Sequence, residues 1–393
     1  MAIRAVQLDV YRTAIAMRSF EHAAATRNQA EAVIVRVVFS DGVAGWGETL
    51  PRPYVTGETL DSVVADLEGV IWPALAEADF SGVESEVAAA IAGIPTVGAD
   101  GRCINAAACS AELACVDAHL RRRGLSSPAG LLGATVPPEG GLIGPRVTGV
   151  LGSAGAGKTA RRLRLMRWYG LRDFKLKLGL GAEADAANLA VVRGRLAGAL
   201  TAGRCTLRVD VNGGWTADET PARVAELAAM GVCAVEQPVF CTARELVDLA
   251  RRCVLPVIGD ESLVTGRDAA VMLGEPGRVW LNVRMSKNGG LLRAGEMVLR
   301  AAEAGSTVVL GCMVGETAIL SSAQRRLLQA VGGCVRFVEG NYGRLLLGAD
   351  VVRRGVRFGF GGRLRALGGA GMGVEVDLEL LERHGRRVAT LGR

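Results

Sequence analysis

From Phe174 onward the chain settles into one rhythm: a short apolar strand, a helix, then another strand, at intervals of about 25 residues. The strands read FKLKLG (174–179), TLRVDVN (206–212), CAVEQPV (233–239), PVIGDES (256–262), VWLNVRM (279–285) and TVVLGCMVG (307–315). Helical segments fall between them at 182–202, 221–230, 242–253, 266–274 and 289–305. Units with each strand ahead of its helix demand parallel strands joined by helical crossovers. A closed barrel and an open doubly wound sheet both meet that demand, and the polar residues separate them. Lys175 and Lys177, Asp210 and Asn212, Glu236, Asp260 and Glu261, and Arg284 each stand near the C-terminal end of a strand. Lys177, Asp210, Glu236, Asp260 and Arg284 follow one another at 33, 26, 24 and 24 residues, which predicts a common height on consecutive strands. An open sheet would string them along an edge, whereas a barrel gathers them in one pocket at its top. The expectation is an α/β chain built on a (β/α)7–8 TIM-like barrel over residues 136–350.

Three carboxylates converging without a cation would repel one another and rise in pKa. A hard divalent ion relieves that. Mg2+ suits the set formed by Asp210, Glu236 and Asp260, since it takes oxygen ligands and keeps positions open for water or substrate, and Mn2+ is an admissible substitute. Taken singly, each acid could be a surface charge or a helix cap, as Asp260-Glu261-Ser262 ahead of a helix illustrates. The repeat spacing is what favours a site.

Ahead of the barrel the pattern is α+β. Residues 3–12 and 32–40 alternate like strands, Ser40-Asp41-Gly42 marks a turn, and Leu60 to Gly124 reads as helices. Pro137-Pro138-Glu139-Gly140-Gly141 reads as a linker.

Composition narrows the function classes. Aromatics make up 4% of the 393 residues, too few for a base-stacking surface. The net charge of +6 comes from dispersed arginines, which describes a solvated basic face congenial to a small anionic substrate and not a nucleic-acid patch. The nine cysteines include no C-x-x-C pair and are odd in number, which is expected of reduced thiols in a cytoplasmic protein. The opening residues lack the apolar core of a signal peptide, and no run of 18 apolar residues predicts a membrane span.

FKLKLG, RVDVNGGW, VEQPV, GDES, NVRMSKNGG and GCMVGET, in this order and spacing, resemble the enolase superfamily, specifically its muconate-lactonizing enzyme (mandelate racemase/muconate lactonizing enzyme) subgroup. The resemblance runs over nearly the whole chain. It implies that residues 1–135 form an α+β capping domain, to which the C-terminal segment 351–393 returns through GAGMGVEVD (369–377). It implies that Asp210, Glu236 and Asp260 bind Mg2+, which grips a substrate carboxylate. Lys177, the second lysine of Lys-x-Lys, would remove the proton α to that carboxylate, leaving a metal-stabilised enediolate. Homo-oligomerisation is implied as well. His22, in SFEHAAATR (19–27), matches a mobile cap loop of the family, and with Arg52 and Tyr54 of the second cap loop it is a candidate for substrate contact. Asn212 and Glu316 of GCMVGET are expected to support the site, Glu316 by hydrogen bonding to substrate or product.

Elementary chemistry agrees. A lysine in water, with a pKa of about 10.4, is a poor base at neutral pH. Residues 175 and 177 share one side of a strand, which makes Lys175 the cationic neighbour that would discourage a proton on Lys177. The pattern departs from the family at one position. Where most members have a second acid/base lysine, N-x-K-x-x-K-x-G-G, this chain has Arg284, and Lys287 matches the later lysine. Deprotonating arginine at pH 7 costs about 7–9 kcal/mol. Its fork suits an anionic oxygen better than a proton-transfer role. One-base chemistry is therefore expected: cycloisomerisation of an unsaturated diacid, or β-elimination. The alternative is a racemase or epimerase of an amino-acid derivative or dipeptide, using Lys177 with Lys287. No histidine lies near 307–315, which sets the chain apart from the histidine-base branch.

Two competing classes weigh less. Gly152 to Thr159 fits the P-loop pattern, but in a Gly- and Ala-rich chain, within the first strand-to-helix connection of a barrel, it has no nucleotide-binding sheet around it. A non-catalytic barrel acting as a binding protein is disfavoured by the intact acids and Lys-x-Lys.

Overall fold

The structure, a computed structural model, describes residues 1–22, 25–135, 141–152, 155–179 and 181–392; the side chains of residues 19–27 lie outside that description. The N-terminal sheet is a long antiparallel hairpin of β1 (Ala5–His22) and β2 (Ala25–Phe39), with β3 (Ala44–Thr49) beside β2. β-Branched residues run through both long strands, and Leu8, Val10, Val33, Ile34, Val35 and Val37 are fully buried. The hairpin runs further than the two sequence stretches that predicted it, because its register continues to His22–Ala25.

A 19-residue helix, Asn105–Arg123, packs on β3 at very short range. A β-carbon at Gly45 would stand 2.0 Å from the Ala114 carbonyl, and one at Gly47 1.8 Å from that of Ser110. The two glycines of GWGE are therefore what allow backbone to meet backbone here. Glu58 receives the amides of Ala106 (2.8 Å) and Ala107 (3.1 Å) at the start of the same helix. Burial pushes its carboxyl up to about 7.

Eight parallel strands follow in chain order: β4 (Gly149–Leu151), β5 (Asp173–Lys177), β6 (Thr206–Asp210), β7 (Ala234–Glu236), β8 (Val257–Gly259), β9 (Val279–Val283), β10 (Val308–Leu310) and β11 (Phe337–Val338). Val147, just before β4, bridges Val338 in parallel, and the Thr148 amide donates to the Val338 carbonyl at 2.7 Å. These contacts join the last strand to the first. The ladder of β10 covers three residues where the sequence suggested nine, since Gly311 to Gly315 already belongs to the connecting loop.

The barrel interior is layered with the period of two that strands impose. Ala234, Ile258, Val309 and Phe337 pack together with Trp280 as an apolar floor. Two residues further along the same strands stand Glu236, Asp260, Asn282, Gly311 and Glu339. The polar layer is thus the next step of the strands whose previous step is core.

The C-terminal segment returns to the cap. A helix, Leu378–His384, leads into β12 (Gly385–Gly392), which pairs antiparallel with β1. The cap also sits on the barrel through a buried acid: Glu48 of β3 accepts from the Thr317 amide and hydroxyl and from the Leu320 amide (2.7–2.9 Å), at the start of the helix Ala318–Val331. A carboxylate suits that helix end, where backbone N–H groups lack partners. Among the described residues, no helix is long and apolar enough to cross a membrane.

Candidate active site

Strand register puts Lys177 opposite Asp210 and Asp210 opposite Glu236. Glu236 then pairs with Ile258, so Asp260 lies two residues above that level and not at it. The even spacing in sequence predicted one height; the stagger that closes a barrel raises the third acid by a step. All three carboxylates are fully buried.

Side-chain cations bridge these acids. The Lys175 amine reaches both oxygens of Glu236 (3.0 and 3.2 Å), Asp210 (3.4 Å) and Glu339 (2.6 Å). Burial disfavours its charge, but Glu236, Glu339 and Asp210 outweigh that and hold it protonated far above the ordinary lysine range. The Lys177 amine donates to Asn212 Oδ1 (2.9 Å) and lies 3.0 Å from Asp210 Oδ2. Burial pushes the Asp210 carboxyl up, yet Lys177 and Lys175 more than reverse it and hold it below the usual carboxylate range. Glu236 is instead pushed up to about 7: burial outweighs Lys175, and Asp210, Glu339 and Asp260 add repulsion.

Asp260 is held from two sides. The Lys287 amine donates to its Oδ1 (2.9 Å), and the Arg284 guanidinium bonds its Oδ2 while standing 3.7 Å from Glu236. Gln237, in the left-handed region at φ 35°, fixes the Asp260 backbone by accepting from the amides of Asp260 (2.9 Å) and Ser262 (3.1 Å). Asn212 is also left-handed, at φ 47°, just past the end of β6. That turn lets its Oδ1 face Lys177 while its Nδ2 donates to Glu261 at 3.2 Å.

Above this layer opens a cavity of about 280 Å3 whose wall includes Tyr54, Lys177, Asn212, Arg284, Met313 and Glu316. Burial pushes the Glu316 carboxyl up to about 8; its Oε1 accepts from the Met313 amide at 2.6 Å. The cavity therefore presents a basic end over the acids, a neutral-leaning carboxyl and apolar walls.

The structure brings most of the expected residues together and sets others aside. Arg52 touches the cavity, but its guanidinium donates to the carbonyls of Pro51 (2.8 Å), Val314 (3.2 Å) and Glu31 (3.5 Å), so it ties its cap loop to β2 and to the barrel loop that follows β10. Lys287 does not line the cavity. It sits in the short helix Met285–Asn288, fully buried, with its amine also on the carbonyls of Asp260 (2.7 Å) and Asn282 (2.8 Å). His22 lies outside the residues whose side chains are described. In the P-loop-like stretch, residues 153–154 lie outside the described residues, and the Thr159 hydroxyl donates to Asn188 (2.6 Å) between two helices.

Sequence reasoning missed Glu339, Arg208 and Asn282. Glu339 follows the two-residue strand β11, too short to show a pattern. Arg208, two residues before Asp210 and wholly buried, donates to Glu339 (2.9 Å) and Thr148 (2.9 Å) and stacks 4.3 Å over Phe337. Asn282 donates to Glu236 at 2.8 Å. A β-carbon at Gly311 would fall 2.2 Å from its Oδ1, so that glycine clears its place. Alternation along each strand would have flagged both Arg208 and Asn282 as facing inward.

The donor chemistry fits a hard divalent cation: three buried carboxylates on consecutive strands, one of them raised chiefly by burial and further by the charge of its neighbours. Among the described residues, no three acidic, histidine or cysteine side chains converge as a finished metal cage.

A capped parallel barrel with a buried Lys-x-Lys and three acids at its strand ends is the architecture of an enzyme that works on small molecules at the barrel mouth. Residues 5–133 match the mandelate racemase/muconate lactonizing enzyme N-terminal domain, and residues 158–380 the enolase C-terminal domain-like family. The chain belongs to the enolase superfamily, in the mandelate racemase/muconate lactonizing enzyme subgroup, and is an enzyme of its lyase and isomerase type. It is 26% identical over 384 residues to the L-Ala-D/L-Glu epimerase of Bacillus subtilis (strain 168), covering 95% of this chain and 97% of the relative. It is 27% identical over 375 residues to muconate cycloisomerase 1-2 of Acinetobacter lwoffii, covering 91% and 89%. In fold it is similar to the N-succinyl Arg/Lys racemase from Bacillus cereus ATCC 14579, with a TM-score of 0.83 at 22% identity over 99% of each chain.

Proposed function

We propose that this enzyme works by one-base chemistry at the carbon α to the carboxylate of a small-molecule substrate. Lys177 removes the α-proton ahead of a β-elimination, or, in a cycloisomerisation, delivers a proton to that carbon after the intramolecular carboxylate has added to the neighbouring double bond. The observation that carries this is the make-up of the cavity wall. Its lysines are Lys175 and Lys177, neighbours on one strand, and the opposite wall offers Arg284. Asp210, Glu236 and Asp260 would hold Mg2+ or Mn2+, which when bound supplies positive charge to the substrate carboxylate.

Lys177, as the neutral amine, takes the α-proton, and Asp210 and Asn212 orient its nitrogen and receive the ammonium formed. The electron pair left behind spreads into the carboxylate. In the elimination it returns to form the Cα–Cβ double bond as the Cβ substituent leaves with its bonding pair. In the cycloisomerisation the equivalent pair, formed by the ring-closing addition, takes the proton from the Lys177 ammonium. Lys175, held as an ammonium, and Arg284, held as a guanidinium, keep the pocket positive while that charge develops. Arg284 stays protonated, so it does not return a proton to the opposite face.

The racemase or epimerase reading is favoured by the names of several relatives. It needs a second base, and Lys287 is turned onto Asp260 and Asn282. The test is α-proton exchange in deuterated water across hydroxy acids, N-acyl amino acids, dipeptides and unsaturated diacids. Wild-type enzyme should exchange one enantiomer only, and Lys177→Ala should abolish exchange. Rapid exchange into both enantiomers would overturn the one-base assignment.

A further inference from the structure

We infer that Arg284 is a displaceable resident cation of the acid cluster, standing between Asp260 and Glu236 where a divalent ion would be received, and leaving for the cavity when that ion enters. This rests on the metal-holding role proposed above for Asp210, Glu236 and Asp260. The oxygens of those three side chains face donors and cations of the chain itself, although Asp210 Oδ2 has ion-pair neighbours and no hydrogen-bond partner. Asp210 Oδ1 accepts the Asn212 amide (3.1 Å), and Asp210 Oδ2 faces Lys177 (3.0 Å). Glu236 is taken by Lys175 and Asn282, and Asp260 by Lys287 and Arg284. An incoming ion therefore competes with these cations for the same oxygens.

The anchoring decides which one yields. Lys287 is fully buried and spends its amine on three acceptors, one of them the Asn282 carbonyl near the end of β9. Lys175 is 2% exposed and is shared among Glu236, Glu339 and Asp210. Lys177 has Asn212 (2.9 Å) as well as Asp210 (3.0 Å) to hold it, and Arg284 is held more loosely than these lysines. Of its five N–H donors, one meets Asp260, another only the Met313 sulfur at 3.9 Å, and its Nε is buried with no hydrogen-bond partner. It also stands on the cavity wall, so the guanidinium can swing upward without passing through the core. There it would face Glu261, Glu316 and whatever anion the substrate brings. A unit charge spread over a planar fork is a weaker partner for clustered carboxylates than a compact divalent ion, which makes the exchange favourable once the ion is present.

Arg284 would thus weaken ion binding in the resting enzyme and become an anion clamp only after the ion has entered. The measurement is Mg2+ binding by calorimetry, without substrate, on the full-length wild type and on Arg284→Met, Arg284→Lys and Asp260→Asn. Arg284→Met should bind Mg2+ about tenfold more tightly or better, because a buried carboxylate is left without its partner until the ion arrives. Arg284→Lys should fall between Met and wild type. Saturating Mg2+ should also raise the Tm of Arg284→Met more than that of the wild type, which an arginine of purely structural role would not produce. If the folded Met and Lys variants bind Mg2+ no more tightly than the wild type, the displacement is wrong, and the metal site still stands provided Asp260→Asn weakens binding. If Asp260→Asn leaves binding unchanged, or no form binds, the metal site itself falls and the displacement with it.

Discussion

The Lys175 amine lies 2.6 Å from Glu339, a contact that ties the second barrel strand to the last. Glu339 also holds Arg208, so one carboxylate offsets two buried cations. Glu339→Gln should therefore lower unfolding free energy by about 3–5 kcal/mol, the cost of leaving a buried charge short of its partner. Urea denaturation checks this. A loss under about 1 kcal/mol would mean that Glu236 and Thr148 suffice for the two cations.

Asn212 should act on rate more than on affinity. Its Oδ1 aims the Lys177 amine at 2.9 Å, and it lies beyond the strand in a left-handed turn. Asn212→Ala should cut kcat by up to about 100-fold while KM changes little, since misplacing a base is costly even when the substrate still binds. Steady-state kinetics with any turned-over carboxylate decides it. A pure rise in KM would assign Asn212 to binding instead.

Glu316 predicts a pH dependence. Burial pushes its carboxyl up to about 8, so at neutral pH it is mostly protonated and can donate to a substrate oxygen. As pH rises through about 8 that donor is lost, so kcat/KM should fall through an apparent pKa near this value. Glu316→Gln keeps an uncharged donor at every pH and should lose this limb of the profile. An unchanged profile would remove Glu316 from substrate contact.

Gly47 tests the cap. With the Ser110 carbonyl 1.8 Å from where its β-carbon would be, Gly47→Ala must push the helix Asn105–Arg123 off β3. The expected loss is about 2–3 kcal/mol of stability. A nearby exposed site, Gly42→Ala, meets nothing within 4 Å and probes only the backbone cost of its φ of 83°. Thermal melts of the two variants separate packing from conformation.

Much of this protein was determined locally by its sequence. Strand-to-helix alternation dictated parallel strands, and the repeat placed Lys177, Asp210, Glu236 and Asp260 at strand ends, because strand length and crossover length are short-range properties. The family followed from motifs that are likewise contiguous. What only the tertiary structure decided lies between distant segments. The stagger of the closed barrel lifted Asp260 a step above Glu236. Arg208 and Glu339, 131 residues apart, became partners. Lys287 turned inward to Asp260 while Arg284, three residues earlier, faced the cavity. Each depends on which side chains share a buried space after closure. Spacing along the chain does not encode that, because desolvation and pairing are set by neighbours that arrive from elsewhere.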